Sequence, residues 1–252
     1  MAQFRLEAYQ RDGNFLGILP ARNIQGECFM NRADALRWEM PLYEKDLNLK
    51  VGDIYPGKIE VALYRQEQVI FRGPLWDATA SSKRGNISCA AEGLESYLDV
   101  RRVDWDLNVE AEQASVMWDL IEASQALTEG DLGIIDGSHI GTGPTRLFQI
   151  RRKEGKYISD VIKETAGLVD GFDWLIEHDN RAFRTWYPHK GGTANTLLEY
   201  GAGIENYTIQ LMGKWAANDI LAQGPKEMVD TAIDEFQREI WGLRQTTVQY
   251  KD

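Results

Sequence analysis

Apolar and polar positions alternate at the start of the chain. Phe4, Leu6 and Ala8 interleave with Arg5, Glu7 and Tyr9, a turn follows at residues 11–14, and Phe15 resumes an apolar run to Leu19. Ile59, Val61 and Leu63 fall on one face of another strand, with Glu60 and Tyr64 on the other. A polar turn at residues 65–68 leads into Val69-Ile70-Phe71, which predicts a hairpin, and Ile87, Cys89 and Ala91 predict one more strand. Short strands at turn-marked intervals predict a small barrel or sandwich over the first hundred residues.

After about residue 107 the period becomes helical. Met117, Leu120, Ile121, Ser124 and Leu127 follow a helical spacing, with Glu110 and Glu112 near the start where a helix dipole favours negative charge. Gly130 and Gly133 mark its end, and the glycine-rich residues 136–144 read as a loop. Ile158, Val161, Ile162, Thr165, Ala166 and Val169 predict a second helix stopped at Gly171. Phe172, Trp174 and Ile176 then alternate into a turn at residues 178–181 and a return strand over 182–187, closed by Pro188 and Gly191-Gly192. Strands are expected at residues 207–211 and 219–222. Val229, Ala232, Ile233, Phe236 and Ile240 predict a last amphipathic helix ending at Gly242. The order of strands, helices with a hairpin, strands and helix is that of an α+β chain.

The 252 residues carry 43% hydrophobic and 27% charged positions, ordinary for a globular protein of one large core or two to three small domains. No apolar run reaches the roughly 18 residues of a membrane span. The first residues lack a basic then apolar leader, which predicts folding in a cytoplasm. Cys28 and Cys89 are expected as two buried free thiols. The net charge of −11 argues against counterion-driven nucleic-acid binding, and the densest basic set, Arg151-Arg152-Lys153, is offset by Glu154.

Catalytic patterns are weak throughout. Only His139, His178 and His189 could serve as a base, all in expected loops or turns, and there is no Gly-x-Ser-x-Gly elbow. Ser138-His139 is the nearest approach to a reactive pair, but adjacent residues rarely face each other. The histidine spacing matches no zinc site, and neither residues 137–146 nor His189-Lys190-Gly191-Gly192-Thr193 forms a phosphate loop. The 39 acidic residues single out no glycosidase pair. Of the eight tryptophans, Trp38, Trp105 and Trp215 lie outside the clearest periodic runs, though core packing explains most of them better than sugar stacking. No catalytic, cofactor-binding or metal-binding residue is assigned.

Four phrases join apolar runs to turns: Phe71-Arg72-Gly73-Pro74-Leu75-Trp76, Gly171-Phe172-Asp173-Trp174-Leu175-Ile176, Trp186-Tyr187-Pro188-His189-Lys190-Gly191-Gly192, and residues 198–206 with Glu199-Tyr200-Gly201 and Asn206. Between and after them stand Arg101-Arg102, Trp118-Asp119-Leu120-Ile121, Gly133-Ile134, an arginine at 146 or 151, Asn218 and Ala222-Gln223-Gly224. In this order and spacing, over about residues 1–242, the chain resembles the hub (minor tail) protein at the tip of a siphophage tail. That resemblance implies two tail-tube-like β-barrel regions flanking an α+β insertion: residues 1–98 a first barrel, 99–190 the insertion, and 191–252 strands of a second barrel plus a C-terminal helix. It implies a homotrimer at the distal tail end that joins sixfold tail rings to a threefold tip. The expected partners are the distal tail or tail tube proteins, the tape measure protein and receptor-binding or fibre proteins, and viral DNA passes through the lumen unbound. Larger relatives continue beyond a Tyr-Gly phrase, which here is Trp241-Gly242. The alternatives are a carbohydrate-binding host-attachment module, which requires tryptophans on one exposed face, and a tail-associated hydrolase, which requires a histidine or acid pair in a cleft.

Overall fold

The computed structural model describes residues 4–42, 55–81, 83, 85–191, 219–223, 229–235 and 245–249. The phrase at residues 198–206, the strand expected at 207–211, Trp215, Asn218 and Trp241-Gly242 lie outside them. The chain divides into two compact units, residues 1–192 and 193–252.

The first unit opens with β1 (Phe4–Gln10), β2 (Phe15–Leu19), β3 (Arg22–Glu27), β4 (Ala35–Pro41), β5 (Ile59–Arg65), β6 (Gln68–Ser81) and β7 (Asn86–Glu92). They form one sheet in the order β2-β1-β5-β6-β7-β4-β3, with every pair antiparallel. Alternation in β4 buries Leu36, Trp38 and Met40 while Arg37 stays in solvent; this strand and β3 were not among those expected. Leu6, Leu36, Trp38, Val61, Phe71 and Leu75 centre the core. The edge strands β2 and β3 follow each other in sequence across Pro20-Ala21, with only a local bond from Ala21 N to Leu19 O (2.8 Å) at that corner. The sheet therefore ends in two edges rather than a closed barrel among the described residues.

β6 is 14 residues long because it serves both halves of the sheet. Its first half pairs with β5 and its second with β7, the register slipping between Leu75 and Asp77. Gly73 lies at the crossover. A Cβ there would stand 1.8 Å from Glu92 O, so only glycine lets the end of β7 cross so closely.

Residues 94–186 build a second core. After a 3-10 helix at Leu94–Val100 come β8 (Leu107–Glu112), α1 (Gln113–Gln125), β9 (Ile135–Ile140), β10 (Thr145–Ile150), α2 (Ile158–Ala166), β11 (Asp173–Ile176) and β12 (Ala182–Trp186). β8 pairs with β10, and β11-β12-β9 forms a three-stranded sheet in which β9 runs parallel to β12. Met117, Ile121, Ile162, Phe172, Trp174 and Phe183 pack between these layers.

Several expectations shift here. α1 begins where Glu112 caps it by accepting from Ser115 N (2.8 Å), while Glu110 belongs to β8. α1 ends at Gln125, a turn before the expected stop, and Leu127 is exposed. α2 ends at Ala166, leaving Val169 96% exposed. The expected loop at residues 136–144 is largely the strand β9. Its Gly137 places no Cβ against Phe183 O, which would lie 2.4 Å away, so the glycine serves close strand approach rather than a loop.

In the second unit β13 (Asp219–Gln223) pairs antiparallel with β14 (Val229–Ile233) and parallel with β15 (Gln245–Gln249). The strand expected at 219–222 is present. The helix expected from Val229 is not: residues 229–233 are β14, since Val229, Thr231 and Ile233 also alternate with period two and β13 supplies a pairing edge. Residues 236–240 of that helix lie outside the described residues.

Candidate functional site: the buried polar contact between the two cores

The second face of β5 is not solvated. Glu60 is 0% exposed, because the α+β region covers it. Its Oε1 accepts from Tyr97 Oη (2.8 Å) and Arg181 Nη1 (3.2 Å), and its Oε2 from Arg181 Nη2 (2.6 Å) and Arg72 Nε (3.2 Å). Four donors on two oxygens satisfy a charge that could not otherwise be buried. Arg181 reaches inward from the β11–β12 turn in a left-handed conformation (φ 60°), and its Nη1 also donates to Leu132 O (2.8 Å). Burial first, then Glu60, raises the Tyr97 phenol above its ordinary range, so it remains a donor. Beside the cluster, burial and the neighbouring Arg11 lower Arg101, whose Nη2 donates to Gly130 O (3.2 Å).

A second polar contact joins the hairpin to the other half of the sheet. His178, in the β11–β12 turn, places Nε2 2.8 Å from Asp34 Oδ2 and Nδ1 3.1 Å from Arg72 O. Its ring packs against Phe71 at 5.4 Å between centroids. Burial lowers the imidazole, but the Asp34 bond and the charge of Glu95 outweigh it and the net shift is upward. Glu95 accepts from Ile176 N through Oε1 (2.9 Å), while its Oε2 is buried with no partner. Burial pushes this carboxyl up to about 7.

Asn31 makes the third contact. In a left-handed conformation (φ 66°) it donates from N to Trp174 O (3.2 Å) and accepts from Trp174 N at Oδ1 (2.7 Å). Its Nδ2 donates to Asp173 Oδ1 (2.9 Å). One residue thus satisfies the edge of β11 as a paired strand would.

Of the chemical candidates, His178 lies in this contact and the others fall elsewhere. Ser138 and His139 point apart on β9: Ser138 Oγ accepts from Arg184 Nη1 (2.6 Å), while His139 contacts Thr185 Oγ1 (2.9 Å) through Nδ1 and Asp136 Oδ1 (2.9 Å) through Nε2. Thr185, His139 and Asp136 stand in the order of a catalytic triad that sequence reasoning missed, since parallel pairing of β9 with β12 creates it. Thr185 is 2% exposed, so no substrate reaches its hydroxyl. His189 is 78% exposed, 3.8 Å from Asp173. Arg146 ties β10 to Gln113 Oε1 (2.9 Å) and Asp170 O (3.2 Å), a packing role. Arg152 pairs with Asp104 (2.9 Å) on the surface.

Both cysteines are free; Cys89 is buried as expected, but Cys28 is exposed. Burial and Asp34 raise the Cys28 thiol, opposite to what a nucleophile needs. Trp38 and Trp174 are core residues, and Trp76, Trp105 and Trp118 pack against the second core. Among the described residues no group of three or more His, Cys, Asp or Glu side chains could hold a metal ion, and no helix is long and apolar enough to cross a membrane.

No family model and no curated protein matches this sequence. Solved structures do. The prophage tail protein gp18 from Listeria monocytogenes EGD-e is 12% identical over 97% of this chain and 72% of its own, with a TM-score of 0.63. The 43 kDa tail protein of prophage MuSo2 from Shewanella oneidensis is 14% identical over 99% and 72%, with a TM-score of 0.63. The tail protein from Neisseria meningitidis MC58 is 14% identical over 99% and 72%, with a TM-score of 0.59. The fold of this chain is that of prophage tail proteins.

Proposed function

We propose that this chain is a structural tail hub protein, which closes the distal end of a tail tube and joins sixfold tail rings to a threefold tip. The observation that carries this reading is the fold shared with three prophage tail proteins over nearly the whole chain. The seven-stranded sheet is the tail-tube-like region, with residues 99–190 as the insertion packed on it and residues 191–252 belonging to a second such region. The role is non-enzymatic and the location is the virion tail tip. Three copies surround the lumen through which DNA is ejected, next to tail tube, tape measure and fibre proteins. The buried contacts of Glu60, His178 and Asn31 support this reading, because a ring built from rigid copies needs the insertion held at one angle to the sheet.

Mass measurement of the purified full chain, alone and with tail partners, tests it. A trimer is expected; a monomer or dimer that persists with partners present counts against it.

A further inference from the structure

We propose that His178 is a proton-dependent latch that holds the β11–β12 hairpin to the sheet when doubly protonated and releases it when it loses one proton. Both of its partners are acceptors. Arg72 O is a carbonyl and Asp34 Oδ2 belongs to a carboxylate, so both only accept. A neutral imidazole has one N–H and one bare nitrogen, so it can donate to only one of them. With Asp34 a carboxylate, the geometry of 3.1 Å at Nδ1 and 2.8 Å at Nε2 is satisfied at both nitrogens only by an imidazolium.

The surroundings sharpen the transition. Asp34 cannot turn toward a new partner, because its Oδ1 accepts from Phe29 N (2.5 Å). Glu95, on the 3-10 helix, brings a second carboxyl with one oxygen buried and unpartnered. With the imidazolium present the cluster has a cation facing these acids; without it, Asp34 and Glu95 face one another with no cation between them. The flanking acids are engaged elsewhere: Glu177 pairs with Arg184 (2.8 Å), and Asp179 accepts from Asn180 N (2.8 Å). Arg72 sends its side chain to Glu60, so it offers His178 only its carbonyl. Lys190 and the Cys28 thiol lie on the wall of the cavity beside His178, which gives the departing proton a path to water.

The elements joined belong to different cores. The hairpin is tied to the loop before β4 at Trp174 through Asn31, whereas Ile176 N bonds to Glu95 within the second core, so loss of the His178 bond is read at Trp174 with Ile176 as the internal reference. The direction follows from the raised folded value of His178 against its ordinary 6.5: the latch is fully engaged below about 6.5 and is lost as pH rises through the folded value.

The test combines a ring 15N titration of His178 in the full chain with amide hydrogen exchange at Trp174 and Ile176, corrected for intrinsic base catalysis, from about pH 5.5 to about pH 8.5. His178 is expected to be doubly protonated at the acid end, and exchange at Trp174 to rise about tenfold or more as the proton leaves. Asp34→Asn supplies the control. Its amide oxygen keeps the Phe29 bond while its NH2 donates to a bare Nε2, so the neutral ring satisfies both partners and exchange becomes flat with pH. A single neutral tautomer at the acid end, or flat exchange in the parent chain, overturns the latch. So does an undiminished rise in Asp34→Asn, which assigns the effect to Glu95. Should Asp34→Asn fail to fold, the parent titration and exchange decide alone.

Discussion

Arg181 Nη2 lies 2.6 Å from Glu60 Oε2, although 121 positions separate the two residues. The pair crosses from the β11–β12 turn to the middle of the sheet, and both side chains are largely withdrawn from water. Glu60→Gln leaves two guanidiniums facing a neutral amide, and a loss of about 3–5 kcal/mol is expected in chemical denaturation. Replacing both Glu60 and Arg181 by apolar residues is expected to cost less than the sum of the single changes.

Gly73 gives a second expectation. Gly73→Ala drives a methyl into the Glu92 carbonyl, backbone that cannot swing aside, and is expected to cost about 3 kcal/mol or more. Gly155→Ala is the control. Gly155 has φ 62° but nothing within 4 Å of an added Cβ, so only about 1 kcal/mol is expected. Thermal melts of the two variants side by side check the ranking.

Asn31→Ala removes the acceptor for Trp174 N and places a Cβ residue without a polar side chain at φ 66°. A loss of about 1–3 kcal/mol is expected, with faster amide exchange at Trp174. Asn31→Gly keeps the backbone conformation and loses only the side-chain bonds, so its deficit should be smaller. Equal deficits would remove the conformational part of the argument.

Glu95 sets a pH dependence. Its carboxyl is held at about 7 in the fold against an ordinary 4.5, so the folded state keeps a proton that the unfolded chain has released. Its contribution is present below about 4.5 and declines as pH rises to about 7, by an amount on the order of 3 kcal/mol. Glu95→Gln keeps the acceptor for Ile176 N and removes the ionisation. Its stability between those pH values should be flatter than the parent's, measured by urea midpoints at each pH.

The thiols should differ in reactivity. Cys89 is buried and pushed up to about 12, whereas Cys28 is exposed. Alkylation of the native chain near neutral pH should modify Cys28 alone and slowly, and denaturant should open Cys89. Mass spectrometry of the digested protein reads both sites.

Much of the fold is legible in the order of residues. The alternation at Phe4–Gln10, the hairpin across residues 65–68, the helical spacing at Met117 and Ile158, and the hairpin starting after Phe172 all appear where the pattern puts them. β4 carries the same period of two in Leu36, Trp38 and Met40. Residues 136–144 misled because glycine was read as a sign of a loop, when its missing Cβ serves strand contact. Val229 to Ile233 fits both a period of two and the start of a helix, and the edge of β13 decides for strand.

The polar contacts were hidden for a different reason. Glu60 reads as the face of a strand opposite its apolar residues, His178 and Arg181 as turn residues, and Asn31 falls in no apolar period. Local pattern reports which face of an element is apolar, so it determined the α+β character, most strand and helix positions and the lack of a recognisable catalytic motif. It does not report what covers the other face. Only the tertiary structure decided that the α+β region lies over β5, which turns Glu60 into a buried ionic centre and gives His178 two acceptors to satisfy. The physical reason is distance along the chain: burial of a charge depends on partners more than a hundred residues away, and no local period encodes them.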